Sequence, residues 1–425
     1  MGRLSAWKRS AEIACTIAAA ICVTGCGTGP AQTKPAGAAS GVFAFWPPFP
    51  DEPHVQFLRS FRSSADVAAS KESGLDRLVF GEESKDEKGL AKPYGVTMHD
   101  GAIYVCDMRS SSLTVLDIKK KQTRLVGVSG VTRLKHPVDV AVAEDGTIYV
   151  ADNDQGAVLV YDRNERYAMA IGHPKFKPVS VDTYKDRLYV CDMAGQVVEV
   201  YDRASGKQIG SIGSVGDEDG QFRLPLGVAV DAKGDVFVTD MMRCRVQKFS
   251  PDGKLISAMG QLGDFAGSFA RPKHLAVDEA GVLYVVDSAF QNVQMFDDQN
   301  RLLMHFGSAG SHPGAMDLPV GICVDRASVA AFGDLIHPGF EAYAIVAVTN
   351  QFGGSKVSVY AVGKRREGYA LADLSARAAK VDLGVGAKDD QLKLQTVGEE
   401  EPVPEGPGPA ESPASPGAPG GKPGN

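Results

Sequence analysis

From residue 92 onward, the chain alternates short apolar strands with polar turns. The stretch from His136 to Gly172 shows the pattern in full. Val138 to Val142, Thr147 to Ala151, Ala157 to Tyr161 and Tyr167 to Ile171 are rich in β-branched, aromatic and small apolar residues. Between them lie Glu144-Asp145-Gly146, Asp152 to Gly156 and Asp162 to Glu165, clusters of the Asp, Asn and Gly that turns require. Strands of this length bounded by such turns predict a four-stranded antiparallel meander. One such sheet cannot bury both of its faces, so it needs neighbours like itself.

The neighbours are present. Pro93, Pro137, Pro178, Pro225, Pro272 and Pro319 stand 41 to 47 residues apart, and each opens a similar unit. The second strand of the first five units closes on an acid: Asp107, Asp152, Asp192, Asp240 and Asp287. Third strands follow at Leu113 to Asp117, Ala157 to Tyr161, Val198 to Asp202, Val246 to Phe249 and Val293 to Asp297. The sixth unit carries an insertion over Arg326 to Glu341 and resumes at Tyr343. A period of this length is that of a propeller blade. The sixth unit lacks a fourth strand after Tyr360, while His54 to Phe61 reads as a fourth strand with no first three and matches that pattern better than the alternative donor, Tyr369 to Leu374. The prediction is an all-β, six-bladed propeller of four-stranded antiparallel blades, closed by an N-terminal strand, which removes the free sheet edges.

The sequence P-x-G-V-A-V-D, a glycine turn, I/L-Y-V-x-D and V-x-V-F/Y-D resembles the NHL repeat over about Pro53 to Gly363. That resemblance implies an NHL-type propeller over residues 53–365. Before it, Lys8 and Arg9 precede an apolar run from Ile13 to Val23 that is too short to span a bilayer. The run ends in Val23-Thr24-Gly25-Cys26, which resembles a bacterial lipobox. The resemblance implies a signal peptide over 1–25, lipid on Cys26 and a stable membrane anchor. Gly27 rather than Asp after the cysteine points to the outer membrane. Residues 26–52 then read as a flexible tether, 366–398 as a partly ordered extension, and 399–425 as a Pro/Gly/Glu-rich tail too poor in apolar residues to fold.

Composition narrows the function. A net charge of −7 argues against nucleic acid as a partner, and no CxxC or CxxCH encodes zinc or covalent haem. Cys106, Cys191, Cys244 and Cys323 fall within strand patterns and read as small buried hydrophobes. The five strand-closing aspartates are assigned to the turns that follow them, since an Asp there accepts backbone N–H groups. Two residues after each opening proline come Gly95, Asp139, Ser180, Gly227, His274 and Gly321. Asp139, Ser180 and His274 depart from the glycine default and are placed at one mouth of the channel, with Lys273, Tyr94 and His136 beside them. These six residues form the candidate binding site, and no catalytic set is assigned. No motif encodes a cofactor, although an Asp and a His are residue types that hold Ca or Zn.

The main reading is a lipid-anchored binding or scaffolding module of the cell envelope that recognises a protein, peptide or glycan through a propeller face. The alternative is a metal-dependent lyase or lactonase at the channel mouth. Lactonase-like propellers suggest Asp139 with Asn153 as a calcium pair, and amidating lyases suggest His274 with His136.

Overall fold

The computed structural model describes residues 43–67, 89–130, 132–376 and 378. Cys26, the signal segment, the tail over 399–425 and most of the extension lie outside the described residues. Six sheets make up the ring. Blade one is Pro93–His99, Ala102–Asp107, Ser112–Asp117 and Gln122–Val126. Blade two is Pro137–Val142, Ile148–Asp152, Ala157–Tyr161 and Tyr167–Ile171. Blades three, four and five repeat the plan from Pro178, Pro225 and Pro272. All ladders within these blades are antiparallel, in consecutive order from the innermost strand outward. The innermost strands touch in sequence around the axis, and that of blade six, Pro319–Asp325, closes on blade one.

Alternation accounts for this arrangement. The middle strands are buried on both faces because each blade is sandwiched between two others. In blade one, Ala102–Asp107 and Ser112–Asp117 are buried at every residue. The outermost strands, such as Gln208–Ile212, are exposed along most of their length. The cysteines behave as small core residues: Cys106, Cys191, Cys244 and Cys323 are buried and unbridged.

Blade six is completed from the N-terminus, with Val55–Phe61 pairing antiparallel to Val357–Arg365. A further strand, Ala44–Trp46, adds to its outer side, so this sheet has five strands. The described fold therefore includes residues 43–52 of the segment 26–52 that the sequence assigns to a tether. Phe43, Phe45 and Trp46 are buried there. Their short apolar run, isolated between Gly/Ala-rich and Pro-rich stretches, shows too few alternations to read as a strand on its own.

The insertion of blade six forms a 3₁₀ stretch, Ala327–Leu335. It is tied to the closing strand through Gln56, whose Nε2 donates to the Leu335 carbonyl and whose Oε1 accepts the His337 amide, each at 3.0 Å. The start of the 366–398 extension forms a short helix, Leu371–Ser375, which buries Leu374 in the same cluster as Phe45, Phe332 and Phe340. Among the described residues no helix is long and apolar enough to cross a membrane.

Candidate functional site

The strand-closing aspartates serve the blades. Asp107 accepts the amides of Ala91, Lys92, Arg109 and Ser110. Asp152, Asp240 and Asp287 accept the two linker amides before their own proline in the same way. Each carboxylate thus ties the turn between strands two and three to the linker entering the blade.

The three residues that depart from glycine meet at the axis. The Ser180 hydroxyl donates to Asp139 Oδ2 at 2.8 Å, and His274 Nε2 lies 2.9 Å from the same oxygen and 3.0 Å from Ser180 Oγ. With the serine proton given to Asp139, Nε2 carries the proton that the two oxygens share. Two further donors come from the innermost strands of neighbouring blades. Val181 N–H donates to Asp139 Oδ2 at 2.9 Å, and Val228 N–H to Ser180 Oγ at 3.1 Å. One layer further along the axis Val230 N–H donates to Asp182 Oδ2. Side chains of blades two and three therefore satisfy backbone amides on the channel-side edge of the next blade, an edge that no further strand covers.

Glycine at the other three positions has the complementary reason. A Cβ on Gly95 would lie 2.5 Å from Asp139 Cα, and one on Gly227 3.0 Å from His274 Cα. A Cβ on Gly321 would meet the Tyr94 carbonyl.

The trio lies beneath the mouth rather than on its rim. Asp139, Ser180 and His274 are only 1%, 0% and 7% exposed. Burial disfavours the His274 imidazolium, but the Asp139 carboxylate and its hydrogen bond, with Asp182 beyond, outweigh this and raise its pKa. Burial raises the Asp182 carboxyl to about 6, against the Thr183 and Val230 amides that favour its charge. Burial, with Asp139 adding, raises the Tyr94 phenol to about 12. In a Ser-His-Asp hydrolase the acid orients one imidazole nitrogen and the serine meets the other. Here both meet Nε2, so Ser180 has no relay behind it.

Nor does the trio fit a metal. Calcium takes six to eight oxygens. Asp139 Oδ2 already accepts three donors, and Oδ1 is buried without a partner where Gly95 packs. Asn153 is not brought to Asp139; its amide points at the Pro178 carbonyl. His136 sits 4.0 Å from Asp154 instead of joining His274.

A second group, His173, Asp192 and Glu199, offers three ligand atoms within 4.8 Å of one another. Its donors are spent as well. Asp192 accepts the amides of Lys177, Ala194 and Gly195, and Glu199 holds His173 Nε2 and the Tyr201 hydroxyl. The repeat alignment explains Glu199. Blades four and five carry Gln247 and Gln294 at its place, and both clamp the preceding linker through Gly220 and Gln221 or through Gly267 and Ser268. Glu199 clamps its own linker through His173. Comparing this column of the repeat reveals the clamp in the sequence, a signal that the search for channel residues passes over. Asp182 was missed for a similar reason: it stands two residues beyond Ser180, where the other blades carry Thr97, Ala141, Ala229, Ala276 and Cys323.

Residues 84–261 match the family described as "SMP-30/Gluconolactonase/LRE-like region". The match falls on blades one to four and covers less than half of the chain. Among solved structures, a structural genomics protein of unknown function from Bacteroides thetaiotaomicron is 15% identical, with 73% of this chain and 76% of that one covered at a TM-score of 0.51. A gluconolactonase from Xanthomonas campestris is 11% identical, with 76% and 99% covered and a TM-score of 0.48. Virginiamycin B lyase from Staphylococcus aureus is 10% identical, with 64% and 95% covered and a TM-score of 0.45. At such identities the likeness is one of fold.

Proposed function

We propose that this protein acts on a small molecule at the channel mouth, cleaving an ester or lactone C–O bond in the manner of a lactonase or lyase. The observation that carries this reading is the buried acid-base trio under the mouth, at three axis positions where the other blades have glycine, within a chain whose blades one to four match a lactonase-type family. His274 is the proton-transfer group, and the Tyr94 hydroxyl, which has no hydrogen-bond partner among the described residues, lines the approach. Because the trio's ligand atoms are engaged with one another, no step is assigned to a metal. The test is proton release from a panel of lactones, with and without added Ca or Zn, for wild type and His274→Gln. Wild type should exceed the buffer rate without added metal. His274→Gln should lose roughly 10²-fold or more while remaining folded. A wild type no faster than buffer on every lactone would overturn the reading.

A second reading keeps the NHL-type propeller as a partner-recognition module of the outer membrane, anchored through lipid on Cys26 and facing an envelope protein, peptide or glycan. It is favoured by apolar side chains on loops at the same end of the ring. Met242, Leu262, Phe265 and Phe352 are 64%, 73%, 53% and 51% exposed. Cys26→Ser should move the chain from the membrane to the soluble fraction. Retention in the membrane would remove the anchor from this reading.

A further inference from the structure

Blade three holds its entering linker with an ion pair where blades four and five use a neutral amide. Gln247 accepts the Gly220 amide at 2.7 Å through Oε1 and donates to the Gln221 carbonyl at 2.8 Å through Nε2. Gln294 does the same with Gly267 and Ser268, at 3.1 and 2.8 Å. Each glutamine gives one hydrogen bond and takes one, and neither half depends on pH. Glu199 stands in the same column, and a carboxylate only accepts. It already accepts the hydroxyl of Tyr201, a phenol that burial and Glu199 push far above its ordinary pKa. The linker therefore brings the donor itself, as His173.

Both nitrogens of that ring face acceptors. Nε2 lies 3.0 and 3.2 Å from the two Glu199 oxygens, and Nδ1 lies 2.9 Å from the Pro174 carbonyl. A neutral imidazole has one N–H and satisfies only one of these contacts. Loss of either proton sets a ring lone pair against an oxygen, so the full clamp needs the imidazolium. His312-Pro313, in the linker entering blade six, supplies the contrast. Its Nδ1 lies 3.1 Å from the Pro313 carbonyl in the same way, but its Nε2 meets the Ser308 hydroxyl at 2.8 Å. A hydroxyl donates or accepts, so that turn is complete with a neutral ring.

Glu199 and Tyr201 face His173 from the third strand of blade three, and Asp192 from the second. Lys177 of the linker is turned onto the Asn153 carbonyl, and Lys175 is exposed. The Pro174 carbonyl, with Glu199 and Asp192, outweighs burial and raises the His173 pKa. The sign follows. The pair's contribution is full below the ordinary imidazole value of 6.5 and is lost as pH rises through the higher folded value. The rest of the linker is held by the buried Phe176 and by the Lys177 amide on Asp192 at 2.9 Å. The next residue is Pro178, which opens the strand carrying Ser180.

We propose that His173 and Glu199 form a proton-dependent latch: protonated His173 pins linker 172–177 to blade three, and deprotonation frees it at the entrance to the strand that carries Ser180. The latch goes beyond the channel-mouth reading and stands on its own geometry, so the failure of that reading would leave it untouched.

The test reads the histidine and the linker separately in the folded full chain. Exchange of the imidazole C2 proton, followed by mass spectrometry, gives the titration of each histidine-bearing peptide. Wild-type His173 should titrate above 6.5 and drop toward it in Glu199→Gln. Protection of the Phe176 and Lys177 amides, corrected for intrinsic exchange, should fall roughly two- to fivefold between about pH 5.5 and about pH 8.5, the range of a partly exposed ion pair. Glu199→Gln should keep the linker protected throughout, because a glutamine donates to a neutral Nε2 while Nδ1–H donates to Pro174. The Met316 amide, which donates to the Ser308 carbonyl beside His312, is the internal reference and should hold steady. The latch is refuted by a His173 that titrates at or below the ordinary value, by wild-type protection that does not change with pH, or by an equal fall at Met316 or in Glu199→Gln.

Discussion

Deleting residues 43–61 is expected to open the ring. The deletion strips two strands from blade six and leaves Val357–Arg365 as an unpaired edge. It also removes Phe45, Trp46, Val55 and Phe61, each no more than 1% exposed. Burial of a large apolar side chain is worth roughly 1.5–3 kcal/mol. A typical domain is stable by only about 5–15 kcal/mol. Trp46 packs edge-on to Tyr360, and Phe45 against Phe340 and His337, so the loss spreads into the remaining strands and the insertion. The Gln56 bonds to Leu335 and His337 go as well. The truncated chain should elute as oligomers or aggregate, because a bare edge beside newly exposed apolar surface recruits other chains. Size-exclusion chromatography and thermal unfolding decide the matter: a monomer with an unchanged midpoint would show that blade six closes without the N-terminal strand.

The second large effect is expected from Asp139→Ala. One carboxylate oxygen accepts Ser180 Oγ, Val181 N and His274 Nε2, and all three are buried. Removing it strands a hydroxyl, an amide and an imidazole that the carboxylate had favoured in its charged form. Breaking a buried pair from one side costs about 3–5 kcal/mol. Asp139→Asn retains an acceptor oxygen and should recover part of the loss. Denaturant unfolding measures both variants. A cost below about 1 kcal/mol for Asp139→Ala would mean that the trio does not hold the three blades together. The same measurement guards the functional test, since an activity lost through Asp139 has no meaning unless the variant is folded.

Most of the fold is legible in the sequence because it is made of local signals. The fourth strand of blade two is expected at Tyr167 to Ile171 and found there. The strand read at His54 to Phe61 is observed as Val55–Phe61, in the closing role assigned to it. The aspartate column was rightly assigned to turns, although the sequence did not show that each also holds the linker before its proline. Ala44–Trp46 was illegible because three residues cannot display a period. Three of the six candidate residues were legible as a group, though not in their state, and His136 faces Asp154 instead. Asp139, Ser180 and His274 stand out from the repeat by identity, and they do meet. Their burial, and the work of Asp139 and Ser180 as acceptors for neighbouring strands, follow from how closely the glycines of other blades let the axis close.

The sequence by itself determined the repeat, the number of blades, the strand order within each and the residues that break the pattern. A period of two and a turn every few residues act over short distances, so each blade carries its own instructions. The tertiary structure alone decided which of the pattern-breaking residues satisfy one another. Asp139 and His274 lie 135 residues apart in the sequence and meet only when the ring forms. No local rule relates them, because electrostatic pairing depends on distance in space, and that distance exists only once the last blade has met the first.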